Sequence, residues 1–175
     1  MRARKEEKAA AAYERVRNTG TRSDAAEAAH ALGMRVHIDG ARIANATAAL
    51  GGGLDALRSF TTDAGVDVIS FGGTKAGMAY GEAVVYLDPA LAERSRYIRK
   101  NVTQLPSKMR FIAAQFLALL ADDLWIDLAA HANAMATVLY EATRDIPGVE
   151  YDRAPEVNSV FPVLPAAAIE PLMAW

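Results

Sequence analysis

No cysteine occurs anywhere in the 175 residues. That absence excludes disulfides, thiolate zinc sites and cysteine nucleophiles together, and with them a disulfide-stapled secreted fold. Histidine is scarce, three in all and none before His30. Neither sign of charge dominates: 19 Lys and Arg against 21 Asp and Glu leave a net charge of −2, with an isoelectric point near 5.9. Nothing in that balance asks for nucleic acid or an anionic membrane as partner. A long hydrophobic run is also lacking. The longest, residues 111–120, is interrupted by Gln115 and closed by Asp122 and Asp123, too short to span a bilayer and suited to a buried helix. The opening MRARKEEK is basic, yet alanines and charges follow it where a signal peptide needs an apolar segment. The expected compartment is therefore the cytoplasm.

What is present is ordinary soluble-protein material, 52% hydrophobic and 23% charged, enough for one domain or for one domain and part of another. Residues 1–22 stand apart: they hold seven Lys and Arg against three Asp and Glu, a local +4 that leaves −6 on the remainder. They read as a charged arm outside the fold. Beyond it, Ser23 is a plausible N-cap for a helix over 24–32, closed by Gly33. MRVHI at 34–38 reads as a strand, ARIANATAAL at 41–50 as a helix stopped by three glycines, and 54–60 as another short helix. VDVISF at 66–71 and AVVYL at 83–87 read as strands flanking a glycine-rich loop, GGTKAGMAYGE. Three helices are expected next, over 89–103, over 107–120, and from Asp122 or Asp123 towards Arg144. VEYD and VNSVFPVL then look like two strands of a smaller unit, with a helix beginning near Ile169. Strands alternating with helices predict a layered α/β fold.

Two segments carry chemistry, HIDGAR at 37–42 and SFGGTKAG at 70–77. Each begins at the end of a predicted strand, and in open α/β sheets ligand sites gather at the carboxyl ends of strands. Each residue also has an ordinary reading. Asp39 suits a helix N-cap, Arg42 a solvated first-turn position, Lys75 an exposed loop, and His37 a packed or hydrogen-bonded place on its strand. The loop is no Walker motif, since GGTKAG lacks the G-x-x-x-x-G-K-S/T spacing. Together they fit one chemistry. A lysine that forms Schiff bases is held at a rigid place with its amine partly desolvated. Two glycines before Thr74 and Lys75 let backbone approach a flat cofactor. A carboxylate facing a pyridine nitrogen keeps that ring protonated, and an arginine binds a substrate carboxylate bidentately.

HIDGARIANA followed by VDVISFGGTKAGMAYGEAVV resembles the low-specificity L-threonine aldolases, within the aminotransferase-like, fold-type I group of pyridoxal-phosphate enzymes. The likeness continues through QLPSKMRFIAAQF, DDLWIDLAAHANAMA and VNSVFPVLP, and so covers about 24–165. The resemblance implies pyridoxal 5′-phosphate as cofactor, Lys75 as the lysine that binds it, Asp39 as the pyridinium partner, and Arg42 beside the substrate carboxylate or the cofactor. It implies that Lys100, in RKNVTQL, lines the site on the substrate side. The activity implied is retro-aldol cleavage of β-hydroxy-α-amino acids, threonine to glycine and acetaldehyde, by a homo-oligomer whose sites lie at subunit contacts.

The same resemblance divides the chain into 23–105, the later part of a large cofactor-binding domain, and 106–175, linking helices and the beginning of a small domain. Family members open with a longer segment that supplies a glycine-containing phosphate cradle and a histidine stacked on the ring. Neither is found before residue 23, and a late carboxylate-binding arginine is missing, so the chain resembles the middle of such an enzyme. On that reading it is expected to be a weak catalyst alone and to associate without defined stoichiometry. The alternatives are another fold-type I reaction, β-elimination or transamination, and a non-catalytic remnant.

Overall fold

The computed structural model describes residues 21–174. Thr21 caps the first helix, α1 (Arg22–Ala31), by accepting the Asp24 N–H at 3.2 Å. The cap thus lies two residues ahead of Ser23, and residues 1–20 of the charged arm fall outside the described part. After α1 the chain enters β1 (His37–Gly40), which leads through Ala41 and Arg42 into α2 (Ile43–Ala49) and then α3 (Gly53–Ser59). Next comes β2 (Val68–Gly72), a single 3-10 turn (Thr74–Ala76) and β3 (Glu82–Tyr86). A second 3-10 turn (Pro89–Ala92) precedes α4 (Ser95–Asn101), followed by α5 (Met109–Leu120), a third 3-10 turn (Ala121–Asp123) and the 20-residue α6 (Leu124–Thr143). Two short strands, β4 (Glu150–Tyr151) and β5 (Pro162–Val163), pair antiparallel, and α7 (Ala166–Ala174) closes the described chain.

The main sheet has the order β1, β2, β3. β1 and β2 are parallel, with Asp39 opposite Ser70, whereas β3 returns antiparallel with Glu82 opposite Gly72. Both strand ends that carry the chemical motifs therefore emerge on one side. Strand side chains alternate between faces, and here the alternation separates a covered face from an open one. Ile38, Ile69 and Phe71 pack with Ile43, Phe60 and Val66 beneath α2 and α3. Burying a side chain such as Ile69 contributes about 2 kcal/mol. His37, Asp39 and Ser70 take the other face. A second cluster, Met78, Ile112, Leu119, Trp125 and Ala129, fills the space between the loop after β2 and helices α5 and α6. Phe71 reaches both clusters, its ring centroid 6.1 Å from Phe116 and 5.8 Å from Trp125. No described helix is long and apolar enough to cross a membrane.

At the far end of β2 from these motifs stands Asp67, 6% exposed. Its carboxylate accepts the Val36 N–H at 2.7 Å, lies 2.8 Å from His30 Nε2, and is 3.7 Å from the Arg35 guanidinium. The Val36 N–H holds this carboxyl below its usual value, with His30 and Arg35 adding to the effect against the opposing push of burial.

Candidate active site

Asp39 is the last residue but one of β1, with its carboxylate exposed on the open face. One oxygen, Oδ1, accepts the Ala41 N–H at 3.0 Å. Asp39 is therefore not the cap of the following helix: α2 starts at Ile43, and the cap position falls to Arg42, whose side chain makes no capping bond. The carboxylate instead steadies the turn that carries Arg42 and keeps Oδ2 for another partner. Arg42 is exposed beside it. His37 is hydrogen-bonded, its Nε2 lying 2.8 Å from Ser70 Oγ.

Lys75 occupies the middle of the 3-10 turn immediately after β2, and it too is exposed. The residues around it are not free to move. Thr74 N–H donates to the Gly81 carbonyl at 3.1 Å and Gly81 N–H to Thr74 Oγ at 3.0 Å, which closes the neck of the loop. Ala76 and Met78 both donate to the Gly73 carbonyl at 3.1 Å and bury their side chains. Ala79 N–H donates to Gln115 Oε1 at 2.9 Å, tying the loop to α5. The lysine thus projects from a stitched loop, and among the described residues its ammonium has no hydrogen-bond or ion-pair partner.

The two motifs meet through a glycine. A Cβ on Gly72 would stand 2.4 Å from the Ala41 carbonyl oxygen, so only glycine lets the end of β2 rest against the Asp39–Arg42 turn. Gly77 serves the loop differently: its φ of +126° is one that side chains rarely adopt, and a Cβ there would meet Leu128 Cδ1 at 2.8 Å. Asp39, Arg42 and Lys75 are accordingly brought to one edge of the open face. Lys100 is not joined to them. It is exposed in the last turn of α4, which packs on the Pro89–Ala92 turn, and it makes no hydrogen bond to either motif.

Sequence reasoning missed Ser70, which lies opposite Asp39 and holds His37, and it missed the roles of Gln115, Asn45 and Asn133. Gln115 is legible as the polar interruption of an apolar helix. A polar residue in such a run usually has a specific partner, here a backbone N–H of the lysine loop. Asn45 stands out less, amid the alanines of ARIANATAAL.

The residues present fit a flat, carbonyl-bearing cofactor with a ring nitrogen. Among the described residues, an amine without a partner and a carboxylate with a free oxygen lie at one edge of the open face, and the backbone at Gly72 leaves no side chain over the junction between them.

A parallel strand pair with a lysine loop and an acid at its carboxyl edge defines a class, and the chain belongs to the Beta-eliminating lyase family, whose model matches residues 18–167. It is 48% identical over 143 residues to the low specificity L-threonine aldolase of Pseudomonas aeruginosa, an alignment covering 82% of this chain and 40% of that protein. It is 47% identical over 141 residues to the low specificity L-threonine aldolase of Pseudomonas sp. (strain NCIMB 10558), covering 81% and 40%. The chain therefore spans about two fifths of the length of these relatives. Among solved structures, a threonine aldolase of Leishmania major superposes with a TM-score of 0.72 at 29% identity, covering 87% of this chain and 44% of that one. The fold class is the aminotransferase-like, fold-type I α/β class.

Proposed function

We propose that this chain carries the lysine-bearing part of a pyridoxal 5′-phosphate site for aldehyde-lyase chemistry, the cleavage of β-hydroxy-α-amino acids such as L-threonine or L-allo-threonine to glycine and acetaldehyde. The observation that carries the reading is the placement of Lys75: exposed, unpartnered among the described residues, and mounted on a stitched loop against the Asp39–Arg42 turn. The names of the relatives support the substrate class.

Lys75 would hold the cofactor through its amine. Asp39 would accept a hydrogen bond from the protonated ring nitrogen at Oδ2 and keep that ring protonated, since Oδ1 is already engaged by Ala41. The cofactor, when bound, supplies an electron-poor ring that takes up the electron pair released at Cα. Arg42 offers a fork of donors to the substrate carboxylate. Lys100 would add positive charge on the substrate side. A second reading, β-elimination, is favoured by the description of the family itself. It uses the same lysine and aspartate but releases a keto acid, so assaying acetaldehyde and glycine against pyruvate separates the two.

The two separate sheets support placing 23–105 in a cofactor-binding domain and 106–175 in linking helices and a smaller unit. The same reading expects a cytoplasmic homo-oligomer, and the exposed apolar side chains of Leu117 and Phe161 support the association.

The test is borohydride reduction of the protein with pyridoxal phosphate, then peptide mass mapping. The adduct is expected on the peptide containing Lys75 and is expected to vanish in Lys75→Ala. An adduct spread over Lys100, Lys108 and the N-terminal lysines would sink the assignment.

A further inference from the structure

We propose that Asn45 and Asn133 form a positioning clasp that sets the Asp39–Arg42 turn against the Lys75 loop, an inference that rests on the proposed function for its consequence in chemistry. Asn45 is the third residue of α2, the helix that follows Arg42 directly, and is 3% exposed. Its Nδ2 donates to Asn133 Oδ1 at 3.0 Å and lies 3.4 Å from the Ala129 carbonyl, both on α6. Asn133 answers by donating from Nδ2 to the Asn45 backbone carbonyl at 3.0 Å. Two amides 88 positions apart thus bond α2 to α6 in both directions.

Packing alone does not call for amides here. Apolar side chains of similar volume would fill the same space without desolvating polar atoms. What directional bonds add is register, because α2 cannot slide or roll on α6 without breaking them. That register bears on the candidate site through one turn of α6. Ala129 takes the Asn45 bond, while its neighbour Leu128 lies against Gly77 of the lysine loop. The same turn therefore seats α2 with one residue and the Lys75 loop with the next. In front, the two motifs touch at Gly72 and Ala41. A shift of α2 would carry Arg42 with it and strain the turn that joins it to Asp39, which stays paired to β2 at Ser70, and misplacements near 1 Å can cost about 100-fold in rate.

Three variants test this: Asn45→Ala, Asn133→Ala, and the apolar pair Asn45→Leu with Asn133→Leu, which keeps volume without the bonds and covers the case in which a single variant fails to fold. The first readout needs no cofactor. Hydrogen exchange of peptides covering 39–42 and 72–77 should quicken about tenfold in each variant, with 136–143 unchanged. The second is the rate of borohydride-trappable labelling at Lys75 by pyridoxal phosphate, together with the pH midpoint of the bound cofactor's visible band. The apolar pair should regain the parent's thermal midpoint while keeping the slow labelling and a displaced pH midpoint. If the apolar pair restores exchange, labelling and pH midpoint alike, the amides serve packing only and the proposal is overturned. A uniform rise in exchange across the protein overturns it as well. Exchange confined to the two motifs, in a parent that is never labelled at Lys75, would refute the cofactor reading and leave the clasp standing.

Discussion

Asp39 already uses one carboxylate oxygen on its own backbone, at Ala41, and this sharpens what a substitution there measures. An asparagine side chain keeps an oxygen for the Ala41 N–H, so Asp39→Asn preserves the turn and removes only the charge. In a full-length version of the enzyme, pyridoxal phosphate should still label Lys75, while turnover should fall about 1000-fold or more, as when a charge-stabilising group is lost from an active site. Near-normal turnover with intact labelling would make Asp39 a turn residue only. Asp67 is the second residue at which substitution separates charge from shape. Its carboxyl is held below the usual value, chiefly by the Val36 N–H. A depressed folded-state value means the ionised form stabilises the fold at neutral pH, and that contribution fades as pH falls from about 4 through the folded value. The gap in thermal midpoint between parent and Asp67→Asn should therefore be constant near neutrality and narrow below about pH 4. Asp67→Ala, which strips the Val36 N–H of its acceptor, should cost about 1–3 kcal/mol of stability. A gap that is flat from pH 7 to 2 would show that shape rather than charge matters at this position.

Elements governed by local chemistry are legible in the sequence, and elements governed by distant partners are less so. The long helix expected from Asp122 or Asp123 towards Arg144 is α6 (Leu124–Thr143), announced by its length of good helix formers and by Pro147 and Gly148 beyond it. The glycine-rich loop between two strands is equally plain. β1 starts three residues later than composition suggests, because Met34 N–H is held by the Ala29 carbonyl at the end of α1 while Arg35 and Val36 are docked from afar. Val36 N–H goes to the Asp67 side chain, and its carbonyl takes the Asp67 and Val68 N–H groups. The helix expected over 89–103 is two pieces. Asp88 accepts the Ala90 N–H and sets a 3-10 start, Ser95 Oγ donates back to the Ala92 carbonyl, and Thr103 turns to a φ of +60° beyond α4. Of the candidate site, residue types and strand ends can be read from the sequence. That Gly72 rests on Ala41, and that α6 stands behind both motifs, are facts of packing between segments far apart along the chain, which no local pattern encodes.

At the scale of the molecule, apolar surface is abundant for 18.7 kDa. Leu117 on α5 is 75% exposed, Phe161 before β5 81%, and Met173 on α7 83%. β1 and β3 each pair on one side only within the described sheet, and open edges and apolar patches both favour association. Light scattering on a sizing column should give a mass above the monomer at micromolar concentration, lowered by Leu117→Lys. A monomer at every concentration would show that these side chains are tolerated in water. The antiparallel return of β3 has a different consequence, for the chemistry. It makes the lysine loop a hairpin with both feet in adjacent strands, its neck closed between Thr74 and Gly81. An amine tethered in that way sweeps a small volume, so towards a carbonyl compound resting over Asp39 its effective concentration is on the order of millimolar or higher. On the proposed function, capture by Lys75 would then be an intramolecular event, limited by how long the compound rests on the open face rather than by how often it collides with the protein.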